Sequence, residues 1–189
     1  MITESQKVLY SKGKNDECET QDYAVKPILK YIPAGATVWC PFDKEDSAFV
    51  RLIREHGNPV IFSHIEYGQN FYEYEPSEHW DVIISNPPFT NKRKIFERAL
   101  SFEKPFALIM SNTWLNDAAP VQIFSEAGKQ LQLLLFDKRM KFRNNGVVQN
   151  KITFSSSYFC CDFLPSDIVL ERLEILPAQM HLEDLEKSA

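Results

Sequence analysis

The chain has 189 residues and a formal net charge of −5, with 44% hydrophobic and 13% aromatic residues. This length fits one domain with a sizeable core, and no run approaches the ~18 apolar residues of a membrane-spanning helix. A sequence pI near 5.4 excludes a protein whose whole surface binds nucleic acid.

The amino-terminal residues 1–18 are polar and contain no apolar segment of signal-peptide type. The chain has four cysteines and four histidines. The cysteines are Cys18, Cys40, Cys160 and Cys161. They lack metal-ligand spacing, and the histidines are scattered. We therefore expect reduced thiols in a cytoplasmic protein with no metal site and no membrane partner.

Apolar runs of strand length alternate with segments of helical period along the chain. The helices are predicted at residues 22–32, 47–56, 91–102 and 117–128. The strands are predicted at residues 37–42, 59–63, 81–85, 105–110, 131–136 and 156–163. Asp46 or Ser47 is expected to cap the second helix, and Asp117 the fourth. This order predicts a doubly wound α/β sheet whose last strand pairs antiparallel with the strand before it.

The carboxyl-terminal residues differ in charge from the rest of the chain. Residues 166–189 contain six acidic residues against Arg172 and Lys187. We predict a single domain over residues 1–165, followed by an acidic tail at 166–189. Two alternatives stay open for this region, namely an edge segment followed by a helix, or a loosely held tail.

Positive charge is concentrated in two segments. The first contains Lys92, Arg93, Lys94, Arg98 and Lys104. The second contains Lys138, Arg139, Lys141, Arg143 and Lys151, with no acid among them. Phe142 and Phe154 are interleaved with the second cluster, a pattern typical of nucleic-acid binding. One basic face beside an acidic tail fits an enzyme that meets phosphate on one side, and the alternative is a solvated helix face plus a solvated loop.

The segment Asn86-Pro87-Pro88-Phe89 follows directly on the predicted strand at residues 81–85. Ligands of open α/β sheets bind at the carboxyl ends of strands. Consecutive prolines fix φ and remove two backbone donors, so the loop is stiff and offers free carbonyls. Such a loop is suited to bind an exocyclic NH2 group on a flat ring. The alternative is a rigid turn in which Asn86 caps the following helix.

This tetrapeptide resembles the Asn/Asp-Pro-Pro-Phe/Tyr motif of S-adenosylmethionine (SAM)-dependent amino-methyltransferases. The resemblance implies that the Asn86 side-chain oxygen and the Pro87 carbonyl accept the two hydrogens of the target NH2. Phe89 is then implied to stack on the base, and Pro88 to set the backbone. The implied fold is the Rossmann-like SAM-methyltransferase fold, a mostly parallel sheet with an antiparallel terminal hairpin.

In that family a glycine-rich loop after the first strand approaches SAM. Here Cys40-Pro41-Phe42 resembles the Asp-Pro-Phe opening of this loop, but Lys44 and Asp46 replace its glycines. A loop without glycine does not take positive φ cheaply, so weakened or lost SAM binding is an alternative. A group of phage and prophage adenine methyltransferases has a similar glycine-poor Pro-Phe-Asp loop. The resemblance implies that Asp43, Glu45 or Asp46 faces the sulfonium or amino group of SAM.

Three further cofactor contacts follow from the resemblance. Residues 19–25 resemble a Thr-Pro-containing segment beside the cofactor methionine, which implies a contact from Thr20, unless it only caps a helix. His64 stands near the place of the usual ribose-binding acid. The Gly-Gln-Asn-Phe segment resembles a Gly-Asp-Phe loop that meets the adenine of SAM. Asn70 and Phe71 are its implied contacts, unless the segment is an ordinary turn.

The resemblance to the phage-type adenine group spans residues 16–163. It implies that the acceptor is N6 of adenine in DNA, with Lys141, Arg143 and Lys151 on the nucleic acid. The alternatives are a methyltransferase acting on RNA or protein glutamine, and a catalytically silent nucleic-acid-binding module. The intact tetrapeptide favours the active enzyme, and the missing glycines favour the silent module.

Overall fold

The structure is a computed structural model that describes residues 19–144, 147–148 and 155–175. Its helices are α1 (Asp22–Leu29), α2 (Ala48–Glu55), α3 (Lys92–Ser101) and α4 (Ala119–Glu126). Its strands are β1 (Glu19–Thr20), β2 (Val38–Cys40), β3 (Val60–Phe62), β4 (Val82–Ser85), β5 (Phe106–Ser111), β6 (Gln132–Phe136), β7 (Phe142–Asn144), β8 (Val147–Val148), β9 (Ser156–Cys161) and β10 (Ile168–Glu171). Ile65–Tyr67 and Asn112–Asn116 form short 3-10 helices.

Seven strands form the main sheet in the order β10-β6-β9-β5-β4-β2-β3. Strand β9 is antiparallel to both of its neighbours, whereas the other adjacent strands pair in parallel. The predicted α/β sheet, mostly parallel with an antiparallel terminal hairpin, is confirmed. The chain moves outward from β2 to β3 on one side and from β4 to β5 on the other. The strand order therefore reverses between β2 and β4, where a ligand crevice is expected.

The sheet separates two hydrophobic clusters. One contains residues of α1 and α2, and the other contains residues of α3 and α4. Cys160 belongs to the first cluster and Cys161 to the second, as expected for neighbours on a strand. Cys40 and Cys160 are buried free thiols, and burial raises the pKa of each well above its usual range.

A smaller sheet of order β1-β7-β8 lies beside the main one. Thr20 pairs with Phe142 in this sheet. The backbone of Lys141 is also bonded to α1, because the Tyr23 hydroxyl accepts from its N–H at 2.8 Å and the Gln21 amide donates to its carbonyl at 3.0 Å. Strands β7 and β8, together with the basic residues Lys138, Arg139, Lys141 and Arg143, are called the basic hairpin below. These contacts attach its start to the start of α1.

The predicted helix caps are partly confirmed. Ser47 is the cap of α2, where its hydroxyl accepts from the Val50 N–H at 3.3 Å. Asp117 does not cap α4, because Ala118 lies between them and Asp117 ends the preceding 3-10 helix.

Residues 168–171 form an edge strand, which supports the edge-segment alternative there. Residues 176–189 lie outside the described residues. Within the described residues, none of the helices has the length and apolar character to cross a membrane.

Candidate active site

The Asn86 side chain is held at the carboxyl end of β4. Its Nδ2 donates a hydrogen bond to the Thr20 hydroxyl at 3.1 Å. Residue Asn91, not Asn86, precedes α3, and Gln21, not Thr20, precedes α1. The capping alternatives for Asn86 and Thr20 are therefore wrong. Nδ2 therefore faces Thr20, and Oδ1 is the acceptor at the other end of the amide.

The rest of the tetrapeptide is partly enclosed. Pro87 is buried, and Pro88 and Phe89 are half-buried. The Phe89 ring meets Phe142 of β7 edge to face, with centroids 6.1 Å apart and planes at 87°. Phe142 is 1% exposed, so its ring belongs to the core and not to the basic surface. Its ring instead supports Phe89, while Phe154 lies outside the described residues.

Asp43 links the loop after β2 to the end of β4. The Ser85 hydroxyl donates to the Asp43 carboxylate, and Ser85 directly precedes Asn86. Burial raises the pKa of Asp43 to about 6, against hydrogen bonds from Ser85 and Ser47 that lower it. A buried carboxyl group therefore lies at the point where the strand order reverses.

The glycine-free loop after β2 folds without unusual backbone angles. The described non-glycine residues with positive φ are Asn91, Glu103 and Asp162, none of which is in this loop. The missing glycines therefore cost no backbone strain in this loop. Pro41 is buried and Asp46 is exposed. Phe42 packs on Phe71 with ring centroids 4.8 Å apart.

His64, the residue predicted near the ribose, lies in the turn after β3 and is bonded to the backbone of that turn. The His64 Nδ1 accepts a hydrogen bond from the Glu66 N–H at 3.2 Å, so His64 caps the following 3-10 helix. The Glu66 carboxylate forms an ion pair with Lys44 at 2.8 Å, which joins the turn after β3 to the loop after β2. Hydrogen bonding to Lys44 lowers the pKa of Glu66. Glu66 is thus an acidic residue that joins the turn after β3 to the loop after β2.

Asn70 and Phe71 are integrated into the protein. The Asn70 Oδ1 accepts from the Tyr72 N–H at 3.3 Å, within a turn. Phe71 is 3% exposed and lies 5.6 Å from Trp39, between ring centroids, in the cluster under α3. These roles agree with the ordinary-turn alternative, and a contact with the adenine of SAM stays a prediction.

The basic hairpin begins beside the Asn86 loop. It follows β6, which ends at the same edge of the sheet as β4, since both strands run in the same direction. Lys141 is half-buried, and its backbone is bonded to Tyr23 as described above. Arg143 lies on β7 opposite Glu19. Lys151 lies outside the described residues.

A groove of about 440 Å³ opens at the opposite, amino-terminal edge of the sheet. Its two carboxylates are already engaged. Asp81 accepts from the Thr37 N–H at 2.8 Å, and Asp162 is paired with Lys129. The chemistry-bearing side chains are gathered at the other edge, so we place the candidate site there and not in this groove.

Comparison with solved structures identifies the fold. A proposed class I SAM-dependent methyltransferase from Listeria monocytogenes aligns with a TM-score of 0.50 at 8% identity, over 84% of this chain and 67% of that one. A proposed RNA methyltransferase from Pyrococcus horikoshii aligns with a TM-score of 0.45 at 14% identity, over 84% and 91%. No protein-family model and no curated protein matches the sequence. The chain has the fold of class I SAM-dependent methyltransferases.

Proposed function

We propose that this chain is a SAM-dependent methyltransferase that acts on an exocyclic amino group, with N6 of adenine in DNA as its acceptor. The observation that carries the proposal is the Asn86-Pro87-Pro88-Phe89 loop at the carboxyl end of β4, with the Asn86 amide oriented by Thr20. The loop flanks the crevice in which class I folds bind their ligands.

The loop residues act by positioning. The Asn86 Oδ1 and the Pro87 carbonyl accept the two hydrogens of the target NH2, so its nitrogen lone pair is drawn out of conjugation and directed into the crevice. Bound SAM supplies an electrophilic methyl group there. The Phe89 ring, braced by Phe142, holds the flat acceptor in place. Proximity and hydrogen-bond polarisation are therefore the main contributions, and no strong general base is required.

The residues around the crevice suit a cationic cofactor with a ribose diol. The carboxylates of Asp43 and Asp46 provide negative charge for the sulfonium or amino group. On the other side of the crevice, Glu66 and His64 are the polar residues for the ribose. Pro41, Phe42, Asn70 and Phe71 are the residues that we assign to the cofactor between these loops, where Phe42 packs on Phe71. The unstrained backbone of the loop after β2 supports SAM binding over the silent module.

The choice of a nucleic-acid acceptor rests on charge. Lys141 and Arg143 lie at the start of a basic hairpin that is anchored next to Thr20 and hence to Asn86. Lysine and arginine bind phosphates without sequence preference, which fits a chain with a basic face and a negative net charge. Lys151 belongs to the same basic segment of the sequence.

The proposal is tested by measuring tritium transfer from labelled SAM to unmethylated duplex DNA, single-stranded DNA, RNA and a glutamine-containing protein. We expect counts in DNA. The Asn86→Ala variant is expected to lose at least about 100-fold in turnover, because it removes an acceptor that orients the amine. Its affinity for SAM, measured by calorimetry, is expected to remain within about twofold of the wild-type value, because Asn86 contacts the acceptor and not the cofactor.

The matched control is Asn116→Ala, which removes an exposed amide from the 3-10 helix after β5. It should transfer methyl groups at the wild-type rate. Counts in RNA or protein alone would change the acceptor. No counts from a folded protein that fails to bind SAM would favour the silent module. An equal loss of SAM binding in Asn86→Ala would contradict the role assigned to Asn86.

A further inference from the structure

Two buried polar atoms near the Asn86 loop have no hydrogen-bond partner within the described part of the chain. They are the Ser156 Oγ and the Asn112 Oδ1. Ser156 is only 3% exposed. A buried polar atom left unsatisfied costs about 1–3 kcal/mol. Atoms of this kind therefore call for a ligand or an ordered water.

Both atoms lie at the edge of the sheet where β4 ends. Ser156 begins β9 and pairs with Ser111, the last residue of β5. Asn112 follows Ser111, and its N–H donates to the Ser155 carbonyl at 2.8 Å. Strand β5 is the immediate neighbour of β4, and β9 is the next strand along. Adjacent strands are about 4.8 Å apart, so Ser156 lies roughly 10 Å across the sheet from β4.

The Ser156 side chain also shares a face of the sheet with Asn86. Ile84, Ile109 and Tyr158 all belong to the cluster under α1 and α2. Asn86 lies two residues after Ile84, and Ser111 lies two residues after Ile109. Ser156 lies two residues before Tyr158, which is towards the same edge of the sheet because β9 is antiparallel to β5. Side chains two residues apart on a strand point to the same face. A flat ring whose amino group lies at Asn86 would therefore extend over the corner formed by β5 and β9.

We infer that the Ser156 hydroxyl donates a hydrogen bond to a ring nitrogen of the acceptor base, with Asn112 as the second polar contact at that corner. This inference rests on the proposed function and specifies its substrate class. A serine hydroxyl rotates to suit its partner and can donate to an unprotonated ring nitrogen. A glutamine amide has no ring nitrogen, so it would leave the Ser156 hydroxyl unsatisfied. The corner therefore favours an amino-substituted heterocycle such as adenine.

The test uses equilibrium binding, followed by fluorescence anisotropy with the full chain. The probes are short single-stranded DNAs with one adenine, with 1-deazaadenine, or with 7-deazaadenine, in which CH replaces one ring nitrogen. For the wild type, we expect one deaza probe to bind about 3- to 10-fold more weakly, as for one lost hydrogen bond. Ser156→Ala should bind the adenine probe as weakly as the wild type binds that deaza probe. The variant should then have the same affinity for the adenine and the deaza probes.

Ser157→Ala is the matched control, because Ser157 is the next residue on β9 and points to the other face. It should keep the wild-type discrimination between probes. Ser156→Ala removes an unsatisfied hydroxyl, so it should fold, and a melting curve checks this. Asn112→Ala is a second variant, expected to weaken adenine binding severalfold.

Equal binding of all probes to the wild type would mean that the corner holds an ordered water only, and would overturn the inference. Discrimination that persists in Ser156→Ala would also overturn it. Binding is measured without turnover, so the two proposals fail separately. If Asn86→Ala left methyl transfer intact while Ser156 still set the probe preference, the mechanism at Asn86 would fail and the base-binding corner would stand.

Discussion

At the scale of single residues, Thr20 shows how a short contact fixes the chemistry of a larger side chain. An asparagine amide has a donor end and an acceptor end of nearly equal size, and only a neighbouring group decides which end faces a ligand. The Thr20 hydroxyl accepts a hydrogen bond from Nδ2 at 3.1 Å and so holds the amide in place, with Oδ1 at its other end. Thr20 reaches that position because β1 pairs with β7.

We predict that Thr20→Val, which keeps the shape and removes the hydroxyl, lowers the rate of methyl transfer by about 2- to 12-fold. The reason is the loss of one hydrogen bond that orients Asn86, worth about 0.5–1.5 kcal/mol. Thr20→Ser keeps the hydroxyl and should restore most of the rate. Single-turnover kinetics with saturating SAM and DNA measures the effect. Equal rates for all three proteins would mean that Thr20 does not position Asn86.

At the scale of elements, the basic hairpin is joined to the site by the backbone of Lys141. Gln21 and Tyr23 at the start of α1 bind this backbone, and Phe142 next to it braces Phe89. Under the proposed function, a strand of nucleic acid bound along the hairpin would be brought to the Asn86 loop. The pairing of β1 with β7 would then couple phosphate binding to the position of Asn86.

We predict that Lys141→Ala combined with Arg143→Ala weakens DNA binding and flattens its dependence on salt. Each lost phosphate contact should reduce the slope of log K against log salt by about 0.7–0.9. Lys129→Ala removes a positive charge at the opposite edge of the sheet, where Lys129 is paired with Asp162, and serves as control. Binding titrations across a salt series measure the slopes. A slope unchanged in the double variant would remove these residues from the interface.

The sequence predicted the sheet well because the largely apolar runs of β4, β5 and β9 are too short for a buried helix and fit a buried strand. It also located the Asn86 loop, since its position depends only on where β4 ends. It did not predict the pairing of β1 with β7, which joins residues 122 positions apart, as for Thr20 and Phe142. The Asp43–Ser85 contact was missed for the same reason, because local patterns do not encode contacts between distant residues.

At the scale of the whole molecule, the junction of β2 and β4 is where stability and site chemistry meet. Burial raises the pKa of Asp43 from 3.8 to about 6 in the folded protein. Between these two values the folded chain retains a proton that the unfolded chain has lost. Folding is therefore favoured less and less as the pH rises through this window, and the deficit stays constant above about pH 6.

We predict that Asp43→Asn removes this part of the pH dependence. Asparagine keeps a carbonyl that accepts from Ser85, carries no charge, and does not titrate. Relative to the wild type, the free energy of unfolding of the variant should rise by on the order of 1–3 kcal/mol between pH 4 and pH 7. Denaturant titrations at several pH values measure this difference. Asp117→Asn, at an exposed carboxylate after the 3-10 helix, is the control and should follow the wild-type curve. Parallel curves for Asp43→Asn and the wild type would show that the Asp43 carboxyl is ionised at no cost to the fold, and hence that the junction is open to water.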